Sequence, residues 1–123
     1  PLGAAVALRS CELLEDRISS GAVAKTVEVF GRVVSETFLD HPRIRRIRQR
    51  GLTACLDLCP ESGASFPHES RFARDVCLEA RGRGLLLRPL GNSLPLVPPI
   101  VISDEEISFL CSTALEAIEA TSY

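Results

Sequence analysis

Residues 52–58 read Leu-Thr-Ala-Cys-Leu-Asp-Leu. Successive side chains of a β-strand point to opposite faces. In a strand, Leu52, Ala54, Leu56 and Leu58 therefore fall on one face, and Thr53, Cys55 and Asp57 on the other. Such a strand is half buried. It needs neighbours on its edges and a cover over its leucine face. No other stretch of the chain limits the choice of fold as strongly.

The cover is supplied by segments of helical spacing. Residues 2–17 are rich in Ala and Leu, and Ala4, Ala5, Leu8, Cys11 and Leu14 make one apolar face. Ser20 is placed to cap a second helix, in which Val23, Val27, Phe30, Val34 and Phe38 recur at helical spacing until Pro42 closes it. Phe72, Val76 and Ala80 mark a third helix over residues 68–81, with Gly82 or Gly84 as its left-handed end. A fourth opens on Ser103-Asp-Glu-Glu106, a capping box, and carries Ile107, Leu110, Cys111, Ala114, Leu115 and Ile118 as a stripe. Between the last two helices, Leu85–Arg88 and Ser93–Val97 are short strand candidates about a Pro-Leu-Gly-Asn turn, with Pro95 confining the second to a sheet edge.

The expected class is α+β: a small antiparallel sheet with helices packed on one face. A chain of 123 residues holds one hydrophobic core and hardly two. Residues 1–123 are expected to form a single domain, with a helical part over 1–40 and an α+β part over 43–123. The chain has no methionine and starts abruptly at Pro1, so it reads as part of a larger protein.

Several function classes are disfavoured. The net charge of -2 gives no general attraction to nucleic acid or an anionic membrane. No apolar run approaches the roughly 20 residues that span a bilayer. Cys11, Cys55, Cys59, Cys77 and Cys111 form no C-x-x-C pair, and His41 and His68 lie far apart in sequence, so no metal site is expected. The thiols read as reduced and cytosolic. Lys25 is the single lysine, and its position about 200° from Val23 and Val27 around the helix turns it to solvent. Ser62 and Ser65 flank Gly63 in a turn-rich loop without a nucleophile elbow. Residues 43–50, Arg-Ile-Arg-Arg-Ile-Arg-Gln-Arg, hold five arginines. These admit a phosphate-binding stripe, but fit better a solvated edge strand blunted by charge.

Arg88 stands apart. It follows three leucines and precedes a nearly apolar run. A guanidinium is always charged and suits bidentate pairing with a carboxylate. Val97-Pro-Pro-Ile-Val-Ile102 then makes a stiff wall, because each proline restricts itself and its predecessor. Spacing alone leaves two roles open for Arg88: an anion ligand, or a surface arginine snorkelling over leucines.

Residues 85–107, from Leu-Leu-Leu-Arg-Pro-Leu-Gly-Asn through Pro-Pro to the capping box, resemble the C-terminal signature of class III, pyridoxal-phosphate-dependent aminotransferases of fold type I. Pro1–Glu15 is similar to the helix after that family's Gly-Asn-Pro-Leu-Ala turn, and His41–Leu52 to the entry of its C-terminal domain. The order of these stretches covers nearly the whole chain. Within the class, the pattern is most like the biotin-pathway branch, which moves an amino group from S-adenosylmethionine to a keto acid.

The resemblance implies the small C-terminal domain of such an enzyme. Arg88 would bind the carboxylate of the substrate, and Arg48 would be structural. Pyridoxal phosphate would be held by a large domain upstream, so no catalytic lysine, cofactor ligand or bound cofactor is expected within this chain, which alone would be inactive. The complete enzyme would be a cytoplasmic homodimer with no nucleic-acid or membrane partner. Other class III ω-aminotransferases, and a free-standing anion-binding module, remain as alternatives. The branch usually carries tyrosine where this chain has Pro95, and often tyrosine where it has Ile100.

Overall fold

The computed structural model describes residues 1–67 and 70–122. His68, Glu69 and Tyr123 lie outside the described residues. The element order is α1 (Leu2–Ser19), α2 (Ala22–Phe38), β1 (Ile44–Arg50), β2 (Thr53–Leu58), α3 (Phe72–Gly82), β3 (Ser93–Leu96) and α4 (Asp104–Ala120). The three strands form an antiparallel sheet in the order β1-β2-β3.

The central strand behaves as its alternation requires. Ala54, Leu56 and Leu58 are buried, and Leu56 and Ala54 pair with Leu94 and Leu96 of β3, also buried. One leucine-lined face results. Phe30, Val34 and Phe38 of α2, Val76 and Ala80 of α3, and Ile107, Cys111, Ala114 and Ile118 of α4 join it in one core cluster. The expected α+β class, with helices on one side of a small sheet, is the one observed. Gly31 lies where α2 meets β1, and a Cβ there would come within 2.9 Å of the Gln49 side chain.

Local details of the helices depart from expectation at several of their ends. Ser20 does not cap α2: its hydroxyl donates back to the Arg17 carbonyl, and Gly21, at φ 77°, opens the helix instead. Before Pro42 is reached, α2 already ends at extended Leu39, followed by Asp40 at φ 64°. Helix α3 starts at Phe72, and Gly84, at φ 88°, takes the left-handed position after it. Finally, α1 forms but buries none of its residues. Arg17, whose Nη2 donates to the Ile100 carbonyl at 3.4 Å, ties α1 to the wall after β3.

Leu85–Arg88 is not a strand, and Pro95 explains why. Leu90 and Ser93 exchange both backbone hydrogen bonds across the Gly91-Asn92 turn. Hydrogen-bonded pairs in an antiparallel ladder recur every second residue, so the next would be Arg88 with Pro95. Proline has no N–H to give. The ladder stops, and residues 85–89 swing clear of the sheet. Pro95 itself pairs with Cys55 on the edge strand, as expected.

Helix α4 is secured at both ends. At its start, Ser103 Oγ accepts from the Glu106 N–H at 3.2 Å, and the Glu106 carboxylate accepts from the Ser103 N–H at 2.8 Å. At its end, Arg43 donates to the carbonyls of Ile118, at 3.0 Å, and Thr121. The same guanidinium pairs with Glu61 at 2.8 Å and lies over the Phe72 ring. A cation here also complements the negative end of the helix dipole.

These ends are independent. Ser103→Ala should cost about 1 kcal/mol. Arg43→Met should cost about 2 kcal/mol, because it strands carbonyls that were paired with a charged donor. The helix is 17 residues long, or about 25 Å, so the two losses should add in urea unfolding of the double variant.

Candidate functional site

The arginine-rich strand is engaged with the protein itself. Arg43 holds the end of α4. Arg45 donates to the carbonyls of Gly63 and Ala64 in the loop after β2. Arg46 and Arg48 converge on Asp57 across the β1–β2 ladder, at 3.0 and 2.6 Å. Ser93 Oγ donates to the same carboxylate at 2.7 Å from β3. All three strands are thus bridged on the face opposite the helices. Four of the five arginines serve the fold, as expected of a charged edge strand, and Arg48 is structural.

Asp57 is held as a carboxylate. Burial would raise its pKa, but hydrogen bonds from Arg48, Ser93 and Arg46 outweigh burial and hold it at about 2. The same bond raises the pKa of Arg48. A depressed carboxylate stabilises the fold above its unfolded pKa of about 3.9, and the contribution is lost as pH falls through the folded value. Asp57→Asn should therefore be about 2 kcal/mol less stable than wild type at pH 7. That gap should close between pH 4 and about 2 in denaturant unfolding measured across pH.

Arg88 occupies a different setting. Because residues 85–89 leave the sheet, a groove of about 710 Å³ opens between them, the wall after β3 and the first turns of α4. Its lining is apolar: Leu85, Leu87, Pro95, Val97, Pro99 and Phe109 face it among others. The charged lining residues are Arg88 and Glu106, and the Glu106 carboxylate is taken by the helix cap. Arg88 is exposed and has no ion pair among the described residues. The arrangement can receive a molecule with an aliphatic body and an anionic end.

A second groove, of about 600 Å³, runs along the other side of the same segment. Arg88, Leu86, Leu87 and Pro89 line both, and Arg74 and Arg81 of α3 join them in the second. The sequence alone does not single out Arg74 and Arg81. Their spacing of seven residues, two helical turns, was the available signal.

Of the other candidate functional residues in the sequence, Cys77 alone among the described ones lines either groove. Lys25 is exposed on α2. Ser62 is exposed, and Ser65 Oγ meets Arg45 at 3.3 Å. Cys59, Cys77 and Cys111 are buried, and burial pushes the Cys111 thiol up to about 11. Cys77 lines the second groove, and burial raises its pKa as well. Among the described residues, no three His, Cys, Asp or Glu side chains come together as a metal site, and no helix is long and apolar enough to cross a membrane. His68 lies outside the described residues.

No family profile matches the chain. Individual relatives do. The adenosylmethionine-8-amino-7-oxononanoate aminotransferase of Geobacter sulfurreducens is 36% identical over 112 residues, which are 89% of this chain and 24% of the relative. That of Synechococcus elongatus is 33% identical over 119 residues, 97% of this chain and 27% of the relative. Among solved structures, a Bacillus anthracis aminotransferase superposes with a TM-score of 0.82 at 26% identity, over 97% of this chain and 28% of that one. The chain spans about a quarter of the length of the curated relatives it matches. Along nearly all of its own length, this chain is a relative of the adenosylmethionine-8-amino-7-oxononanoate aminotransferases, within the class III aminotransferases that share its fold.

Proposed function

We propose that this chain forms the C-terminal domain of a pyridoxal-phosphate-dependent aminotransferase. The complete enzyme transfers an amino group from S-adenosylmethionine to 8-amino-7-oxononanoate in biotin biosynthesis. Arg88 binds the carboxylate of that keto acid. The carrying observation is an exposed guanidinium without an ion pair, among the described residues, on the rim of an otherwise apolar groove. 8-Amino-7-oxononanoate has a carboxylate at one end of an aliphatic chain and its keto group toward the other. Its body matches the groove, and its carboxylate matches the planar fork of Arg88. The names of the relatives support the same substrate.

Pyridoxal phosphate, when bound, supplies the electron sink for amino transfer. The residues of this chain do not fit a site for it: Lys25, the single lysine, is exposed on α2 and lines neither groove. We assign the cofactor to a large domain that this chain covers, with the Arg88 groove turned toward the cleft between them. The chain's own share of the work is to orient the keto acid by its far end and to shield its methylenes from water. The complete enzyme acts as a cytoplasmic homodimer, and the chain by itself is inactive. A second reading, another class III ω-aminotransferase, is favoured by Pro95 where the biotin branch usually has tyrosine.

In the full-length enzyme, Arg88→Ala should raise KM for the keto acid roughly 10- to 100-fold, the worth of one charge-assisted pair. Arg88→Lys should restore only part, since lysine keeps the charge and loses the fork. The methyl ester of the keto acid supplies the control. Wild type should prefer acid to ester, and Arg88→Ala should hardly distinguish them. An alanine variant that still prefers the acid as strongly as wild type would show that Arg88 is not the carboxylate ligand.

A further inference from the structure

We propose that Arg74 and Arg81 form an electrostatic approach that captures an anionic substrate on the α3 side and passes its carboxylate to Arg88. This proposal rests on the assignment of Arg88 as the carboxylate ligand. It adds two residues whose work is encounter, not final contact.

The geometry comes from the second groove. Arg74 and Arg81 stand two turns apart on α3, and the chain then folds back so that Arg88 lines the same groove. Leu78, Leu86, Leu87 and Pro89 floor it. Among the described residues, three guanidiniums thus line one groove and no carboxylate does. The nearby acids leave most of this charge unbalanced. Asp75 reaches Arg74 only at 4.0 Å, and Glu79 is paired with Arg83 at 2.8 Å. Arg81, like Arg88, has no ion pair among the described residues. The surplus stands out in a chain of net charge -2. A cleft lined by one sign of charge over low-dielectric walls focuses the field and raises the local concentration of the opposite ion. Because Arg88 lines both grooves, an anion drawn along α3 arrives beside the apolar groove that accepts its aliphatic body.

The test uses the full-length enzyme and the variant Arg74→Gln/Arg81→Gln. At low ionic strength, kcat/KM for the keto acid should fall by up to about tenfold, with kcat unchanged. The difference should shrink as salt is raised, because exposed charges are screened beyond about 10 Å at 0.1 M. The methyl ester should show no such loss. Arg74→Lys/Arg81→Lys should restore full steering, since steering needs charge and not a planar fork. Arg9→Gln/Arg32→Gln, which removes two exposed positive charges from α1 and α2, should have little effect and controls for net charge. A salt profile of kcat/KM identical to wild type in the Gln variant would overturn the proposal, as would an equal loss for acid and ester. The reading of Arg88 fails separately, if Arg88→Ala still prefers acid to ester.

Discussion

The structure hangs on the pairing of β2 along both of its edges. A strand with two neighbours cannot rotate to present its other face, so its alternation becomes the alternation of the whole sheet. Leu56 sets this phase: it is opposed by Ile47 on one side and Leu94 on the other. The buried apolar side chains of α2, α3 and α4 then have one surface to meet. Everything charged in β1 is left on the other, where Asp57 is the anion that Arg46 and Arg48 share. Hydrophobic sorting and charge pairing here are two results of one register.

The same register positions the Arg88 groove, through Pro95. On the edge strand, this residue completes the pairing with β2 while refusing the next neighbour outward. A residue with an N–H at this place could extend the ladder to Arg88 and draw the leucine segment onto the sheet. The groove is therefore a product of a missing hydrogen-bond donor as much as of apolar side chains. This gives a physical meaning to one of the segment's two departures from the biotin-branch pattern, the other being Ile100.

What the sequence revealed was largely local. The alternation at 52–58, the helical spacing of Phe30, Val34 and Phe38, and the capping box at Ser103 each act within a few residues. Their outcomes matched. Ser20 failed as a cap because Gly21 can adopt the left-handed turn that it cannot easily share. The contacts of Arg43 with the end of α4 join residues more than 70 positions apart, and no pattern along the chain announces them. The partners of Asp57 depend on strand register, which is known only after the strands are paired. Arg88 was legible as an unusual residue from its apolar setting, whereas the neighbourhood of Arg74 and Arg81 needed the fold-back after Gly84 to become a site.

The irregularity in β1 between Ile44 and Arg46 makes the edge strand a counting device. A bulge inserts one residue and so restores phase across it. Ile44 returns to the core face opposite Leu58, although Arg45 and Arg46 intervene between it and Ile47. Removing Arg45 would take out the extra residue and leave Ile44, Arg46 and Ile47 in plain alternation, with Ile44 still opposite Leu58. An insertion between Arg46 and Ile47 would instead move Arg46 opposite Leu58 and turn it toward the leucines. The bulge also takes Arg45 out of the ladder and leaves its side chain to reach the carbonyls of Gly63 and Ala64.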